Sequence, residues 1–385
     1  MGYQIPLFNL NFGEEENKAV VDVLNSKWIS SGPKTLELEN KFADMLGARY
    51  AIAVSNCTAA LHLAVLAAGI ELGDEVIVPS MTFVATVNAV KYAGGTPVFC
   101  DVLAKDNLCI SPEDIKKKIT PKTKAVIVMH YGGFACDLDK ICDICNKHHI
   151  ALIEDACHGP MSEYKGQKLG TFGIAGCFSF FSNKNISTGE GGVLVTNSEE
   201  VYEKVKLLRS HGMTTMSYER STGHSTSYDV IELGYNYRFN DILAGIGLVQ
   251  LDKLMPDIKK RQHIRQMYID LLGDDERLII PFKDYKEVSS LYIFPMVLTE
   301  GDAQYRDRIR DYLASKGVQT SMHYPPAHRF SIYKDLPADL PVTEFVADHE
   351  FTVPMYGTLT EADVKYVCES IKEALDKVER WIICI

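Results

Sequence analysis

Between about residue 35 and residue 255, short apolar runs alternate with stretches of helix length, and this alternation leaves the chain few architectures to choose from. The runs are Tyr50–Val54, Glu75–Val78, Thr96–Phe99, Ala125–Met129 and Ala151–Ile153. Each is too short for a stable helix and is apolar at successive residues rather than at every second one. Between them lie helical patterns. Leu38, Phe42, Met45 and Leu46 recur at i, i+4, i+7 and i+8 and are closed by Gly47, and Ala59 to Ala68 ends at Gly69. Uniformly apolar strands separated by helices read as a mostly parallel sheet with helices on both faces, an α/β fold. Two further runs, Gly176–Phe180 and Gly192–Thr196, flank a glycine-rich turn and are read as a hairpin at one side of the sheet.

A helix is predicted to start at Asn240 or Asp241, either of which suits an N-cap, and to run through Ile242, Leu248 and Leu251 until Pro256 follows it. Beyond that point the pattern changes. Leu291–Leu298 is strand-like, Asp307–Lys316 helical, and Ile371, Leu375, Val378 and Trp381 share helical spacing. The expected division is a large domain over residues 1–255 and a smaller C-terminal α+β domain over residues 256–385.

Charge and composition exclude several classes. A net charge of −11 does not suit a general nucleic-acid binder, which needs a basic face. No apolar run approaches the roughly 20 residues that span a bilayer. Met1 to Asn17 lacks the basic start and apolar centre of a signal peptide, so a soluble, cytoplasmic protein is expected. Several of the ten cysteines, among them Cys100, Cys177 and Cys384, sit in apolar runs and read as buried free thiols. Cys142 and Cys145 form a C-x-x-C, a spacing also found in metal and redox sites. No second pair completes a zinc site, so the two read as helix surface and core and no metal is expected.

In open α/β sheets, ligands sit outside the carboxyl ends of the strands. That rule directs attention to the residues just after each run. Lys184, in Phe181-Ser182-Asn183-Lys184-Asn185, follows an apolar strand and precedes Thr188-Gly189-Glu190-Gly191-Gly192. A lysine in a loop is ordinarily a solvated charge. Here the strand carries the amine inward, where burial lowers its pKa and the neutral form can attack an aldehyde to make a Schiff base. Asp155 lies at a strand's carboxyl end. A buried carboxylate there needs a positive partner, such as a protonated pyridine nitrogen, unless it merely caps the next helix. Ser55-Asn56-Cys57-Thr58-Ala59-Ala60 joins a strand to a helix, whose free amides can bind phosphate or be closed by ordinary capping. Ser179, between Phe178 and Phe180, can reach the same phosphate or bond the backbone. Amine, nitrogen partner and phosphate cradle are together the parts of a pyridoxal 5'-phosphate (PLP) site.

Six stretches in this order resemble the DegT/DnrJ/EryC1/StrS family of sugar aminotransferases: Ser55–Leu61, Thr82–Thr86, Glu154–His158, Phe178–Phe180, Lys184-Asn185 with Thr188–Gly192, and Gly234–Arg238. Trp28–Pro33, His323-Tyr324-Pro325 and Val353-Pro354 extend the likeness over nearly the whole chain. The resemblance implies a fold-type I PLP enzyme working as a homodimer with shared active sites. It implies that Lys184 carries the cofactor and that Asp155 pairs with its ring nitrogen. Thr58 and Ser179 would hold the phosphate, with Cys57 and Ala59 helping through their backbones. Phe83 and His158 would lie against the two faces of the ring. Asn236 would reach the phosphate from the partner subunit, and Arg238, also from the partner, would take the donor's carboxylate unless it serves a structural salt bridge.

His130, Tyr131, His323, Tyr324 and His328 would line or approach the sugar pocket. Arg209 to Ser227 reads as a loop bordering a nucleotide site. Many family members have Gly where this chain has Cys57, so its phosphate loop must accommodate a side chain, and many have Gln in place of His158. The implied reaction moves an amino group from glutamate (or glutamine) to a keto group of a nucleotide-linked deoxysugar, through pyridoxamine 5'-phosphate. Its products belong to deoxyamino sugar biosynthesis for lipopolysaccharide, glycoconjugates or antibiotics.

Two alternatives stay within PLP chemistry: a sugar dehydratase and a non-catalytic PLP-binding regulator. The dehydratase branch carries His in place of the lysine, so Lys184 favours transamination. No G-x-G-x-x-G follows the first strands and no G-x-x-x-x-G-K is present, against nicotinamide and P-loop enzymes.

Overall fold

The computed structural model describes residues 2–215 and 227–379. In chain order the first half runs α1 (Glu14–Ser26), α2 (Pro33–Leu46), β1 (Tyr50–Val54), α3 (Cys57–Ala67), β2 (Glu75–Pro79), α4 (Val84–Tyr92), β3 (Thr96–Cys100), the hairpin of β4 (Val102–Ala104) and β5 (Asn107–Ile110), α5 (Pro112–Lys118), β6 (Thr123–Met129), α6 (Leu138–His148) and β7 (Ala151–Asp155). The hairpin of β8 (Glu163–Tyr164) and β9 (Gln167–Lys168) follows, then β10 (Ala175–Ser179), β11 (Gly192–Thr196) and α7 (Glu199–Leu208). The remainder comprises α8 (Asp241–Leu272), β12 (Leu278–Ile279), β13 (Phe294–Leu298), α9 (Ala303–Ser315), α10 (Pro341–His349), β14 (Glu350–Val353) and α11 (Glu361–Lys377).

Seven strands form the central sheet in the order β1-β11-β10-β7-β6-β2-β3. The pairs from β10 to β3 are parallel, and β11 alone runs against its two neighbours. The glycine-rich segment therefore makes an antiparallel pair as expected, but not at the side. β11 inserts between β10 and β1, so its burial is complete along its length. Helices cover both faces, which is why successive strand residues are apolar along most of each strand. One core joins β1, β2, β6 and β10 to α3, α4 and α7. Two further groups gather around α5 and α6 and around α2 and the first part of α8.

The helix expected to end at Pro256 does not. α8 continues for 32 residues through that proline. An internal proline removes one backbone bond and costs about 3 kcal/mol in an unsupported helix. Here both sides of it are held. Leu251, Leu254 and Ile258 are buried in one core, and Ile264, Tyr268 and Leu272 in that of the three-stranded sheet β12-β13-β14. Asp257 and Arg261 pair at 2.5 Å inside the protein. The composition change at residue 256 thus falls within a single helix that serves both halves of the molecule.

The start of α8 also fixes the start of α2. The buried Asp241 carboxylate accepts the amides of Gly32, Lys34 and Thr35 at 2.9–3.1 Å and the Thr35 hydroxyl at 2.7 Å. Removing it strands several donors at once. Asp241→Ala is expected to cost about 3 kcal/mol of stability, seen as a lowered midpoint of thermal unfolding. An unchanged midpoint would show that these donors find other partners.

The C-x-x-C lies on α6 as expected, with Cys142 half-buried, Cys145 buried and both free thiols. Trp381 and Cys384 lie outside the described residues, as do residues 216–226 of the loop expected beside a nucleotide site. Among the described residues no helix is long and apolar enough to cross a membrane, and no cluster of three His, Cys, Asp or Glu side chains suits a metal ion.

Candidate active site

A cavity of about 450 Å³ opens at the carboxyl ends of the parallel strands. It is within the size range of cofactor sites. Lys184 reaches it from the loop after β10. Its Nζ lies 4.0 Å from the centre of the Tyr292 ring and 4.0 Å from Cys157 Sγ. Burial pulls the lysine's pKa down and is the largest single influence. The nearby Cys157 and Tyr292, and Asp155 after them, outweigh it, so the net shift is upward. The expectation that burial leaves a neutral amine is therefore corrected: without cofactor, Lys184 is an ammonium.

Asp155 ends β7 and is 2% exposed. Its Oδ2 accepts the Thr86 hydroxyl at 2.7 Å, and its Oδ1 accepts the Cys157 amide at 3.2 Å. No helix starts after it, so capping is not its role. Among the described residues no cation forms an ion pair with this carboxylate. A buried anion held only by neutral donors is a poor end state, and a ligand cation in the cavity would complete it.

The turn between β1 and α3 supplies the anion end. Asn56 caps α3 by accepting the Ala59 amide at 2.9 Å, so that amide is already used. Among the described residues the amides of Cys57 and Thr58 and the Thr58 hydroxyl have no protein partner. They stand in the first turn of the helix, where negative charge is favoured. Gly192 permits this turn to approach. A Cβ there would lie 2.6 Å from Cys57 N and from the Asn56 carbonyl carbon. The Cys57 side chain is accommodated by burial, which pushes its thiol pKa well up. Ser179, at the end of β10, also lines the cavity, its Oγ accepting the Phe181 amide at 3.3 Å.

Amine, buried carboxylate and open helix N-terminus share one cavity of suitable size. They fit PLP, whose aldehyde, ring nitrogen and phosphate need those three partners.

The DegT/DnrJ/EryC1/StrS aminotransferase family profile matches residues 11–372. The chain belongs to this family. It is 38% identical to the GDP-perosamine synthase of Escherichia coli O157:H7 over 372 residues, 96% of this chain and 98% of that one. The fold superimposes on Helicobacter pylori PseC, an aminotransferase involved in the biosynthesis of pseudoaminic acid, with a TM-score of 0.90 at 29% identity, covering 97% of this chain and 99% of that chain. Spr1654 of Streptococcus pneumoniae, a putative sugar aminotransferase in its PLP form, matches with a TM-score of 0.91 at 30% identity, over 98% of this chain and 100% of that one. The protein is an aminotransferase of PLP fold type I.

Of the residues singled out from sequence, Cys57, Thr58, Phe83, Asp155, Ser179, Lys184, His323 and Tyr324 line the cavity of this family member. Phe83 stands at its mouth, 57% exposed. His158 does not line it. Its ring lies fully buried behind Tyr292, 4.3 Å between centres, with Nδ1 accepting the Gly132 amide and Nε2 2.7 Å from the Tyr324 hydroxyl. Burial, and then Lys184 and His323, hold its pKa well below the usual value, so it is neutral.

Tyr131 and His328 also stand back. The Tyr131 hydroxyl donates to the His323 carbonyl. His328 is buried beside Phe99, its Nδ1 2.7 Å from Ser80 Oγ. His130 is sealed against Glu154, whose carboxylate also accepts the amides of Gly170, Phe172 and Gly173. Asn236 and Arg238 do not line the cavity. Asn236 bridges to Ser210, and Arg238 donates to Ser210 Oγ at 3.2 Å.

Residues of the site that went without a role in the sequence include Tyr292, Cys157 and Thr86. Thr86 stands four residues after Thr82 in a stretch already singled out, a signal that could have marked it. Tyr292 comes from the other half of the chain and is placed by α8. Arg261 donates to the carbonyls of Leu291, Tyr292 and Met355, which pins the segment under Lys184.

Proposed function

We propose that this protein is a sugar aminotransferase that moves an amino group from glutamate to the keto group of a nucleotide-linked deoxysugar, with Lys184 as its reacting amine. One observation carries the reading: Lys184 lines the same cavity as Asp155, a buried carboxylate without an ion-pair partner among the described residues. The perosamine synthase and PseC named above support the substrate class.

Bound PLP supplies an aldehyde that takes up the amine and a ring that accepts the electrons released at the donor's Cα. Lys184 would hold the cofactor through its Nζ, and the same amine, once released, would move a proton at the donor's Cα. One residue thus serves as nucleophile and as acid–base group. Asp155 would keep the ring nitrogen protonated, and Thr86 and the Cys157 amide hold that carboxylate in place. Thr58, Ser179 and the first amides of α3 bind the phosphate. Phe83, at the cavity mouth, would cover one face of the ring. Cys57 and Ala59 belong to the phosphate turn, although the Ala59 amide is committed to Asn56 and contributes through the helix end only. His158 acts through Tyr292 and Tyr324, which stand between it and the cavity.

The homodimer is part of this proposal. A single chain leaves Asn236 exposed and Arg238 outside its own cavity, and it exposes Phe8, Phe12, Tyr228, Val230, Ile231 and Leu233. A second copy would cover such surface and bring Asn236 and Arg238 to its neighbour's phosphate and donor carboxylate. The mass in solution, by light scattering, tests this.

The function is tested by incubating PLP-loaded protein with glutamate and a set of nucleotide-linked keto sugars. The expected product is about 1 Da heavier than the ketone, by exchange of C=O for CH–NH2, with 2-oxoglutarate formed in equal amount. Water loss from the sugar without nitrogen gain would instead identify a dehydratase.

A further inference from the structure

Behind the cavity wall a short buried chain of polar groups ends at His323. Glu350 and Thr352 belong to β14, and His323 lines the cavity with Lys184, Tyr292 and Tyr324. Glu350 Oε2 accepts the His323 amide at 3.0 Å. Glu350 Oε1 accepts the Thr352 hydroxyl at 2.5 Å, and Thr352 Oγ1 lies 2.9 Å from His323 Nδ1. Thr352 is 1% exposed, Glu350 2% and His323 6%.

Proton counting fixes the direction of this chain. A hydroxyl has one proton to donate. Thr352 spends it on the Glu350 carboxylate, so toward His323 it can only accept. His323 Nδ1 must then carry a hydrogen. Burial, helped by repulsion from Lys184, lowers the His323 pKa to about 3, so the ring holds a single proton at neutral pH. Nε2 is therefore bare. It makes no hydrogen bond among the described residues and is not one of the sealed unpartnered atoms, and His323 is a wall residue of the cavity.

We propose that Glu350 and Thr352 are positioning residues that hold His323 in its Nδ1–H form, so that Nε2 offers a lone pair to a hydroxyl of the sugar substrate. The proposal rests on the sugar aminotransferase reading for the nature of the donor, and on the geometry alone for the relay. A site built to accept a hydroxyl proton discriminates strongly against substrates that lack it, because the acceptor is left unpaired.

The relay has a built-in pH dependence. Burial pushes the Glu350 carboxyl up to about 7, against the downward pull of the Thr352 hydroxyl, the His323 amide, and Arg306 and Arg310 of α9. Tyr131, after β6, faces the same carboxyl and has its own pKa pushed well up, chiefly by burial. Below that value a protonated Glu350 can donate to Thr352. The hydroxyl then turns toward His323 Nδ1, and the imidazole proton moves to Nε2. The lone pair is presented above about pH 7 and withdrawn below it.

The test is nitrogen NMR of PLP-loaded protein labelled with 15N-histidine, the His323 signals assigned by their absence in His323→Gln. At a pH well above the Glu350 pKa, the wild type should show Nδ1 protonated and Nε2 bare. Glu350→Gln reverses the relay, since its amide donates to Thr352, and should show Nε2 protonated at every pH. Thr352→Val, nearly the same shape, should lose the Nδ1–H preference, and Thr352→Ser should restore it. In turnover, Thr352→Val should lower kcat/KM for the keto sugar about 10-fold or more and leave the half-reaction with the amino donor unchanged. Thr352→Ser should recover it. A wild-type tautomer retained in both Glu350→Gln and Thr352→Val overturns the relay, as does an equal loss in the two half-reactions. The spectra need no sugar. A failed relay and an enzyme that acts on something other than a sugar are therefore told apart.

Discussion

Lys184→Ala is expected to lower amine transfer by about 10⁴-fold or more while the chain keeps its fold. The side chain projects into the cavity, and its near neighbours are Cys157 and the Tyr292 ring, each 4.0 Å from Nζ. Both are held independently of it: Cys157 donates its amide to Asp155, and the Tyr292 carbonyl is bound by Arg261. Losing the amine therefore removes a charge from a cavity rather than a brick from the core. Borohydride reduction of PLP-loaded wild-type protein should fix the cofactor on the peptide containing Lys184, read by mass spectrometry, and the variant should yield no such adduct. Near-normal turnover in the variant, or an adduct on another lysine, would remove Lys184 from the chemistry.

Asp155→Asn should cost about 10²- to 10⁴-fold in turnover, with the thermal midpoint little changed. The amide keeps the size of the carboxylate, and its oxygen can still accept from Thr86 at the position of Oδ2. What it loses is the negative charge and the weak acceptor contact to the Cys157 amide at 3.2 Å. Breaking a buried charge pair costs about 3–5 kcal/mol, and each step of about 1.36 kcal/mol is tenfold in rate. A protein already short of a cation beside this carboxylate should not depend on it for folding, so activity and stability should separate. Steady-state rates with glutamate and the keto sugar, beside a melting curve, measure both. Wild-type rates would show that Asp155 does not partner the ring nitrogen.

Much of the site could be read from the chain because its parts follow strands. Thr58, Asp155, Ser179 and Lys184 each come just after or at the end of an apolar run. In a parallel sheet those ends converge on one edge, so local pattern alone brings them together. Other residues in and around the site are placed by a different route. Tyr292 is carried by the far half of the chain and held there by Arg261. His323, Thr352 and Glu350 meet across a bridge between Ser321 and β14 that no local spacing announces. His158 follows Asp155 closely in the chain, yet its ring is turned to Gly132 and Tyr324 instead of lining the cavity.

Alone, the sequence determined the α/β class, most of the strands, the family and the place of Lys184 just after a strand, because hydrophobic period and short motifs are local properties of the chain. Only the tertiary structure decided that β11 runs inside the sheet, that α8 passes through Pro256, and which side chains stand between His158 and the cavity. Those outcomes depend on packing between segments that are distant in the chain. Such packing overrides a proline's local preference, and it brings Cys157, Tyr292 and Asp155 close enough to raise the Lys184 pKa where burial alone would lower it.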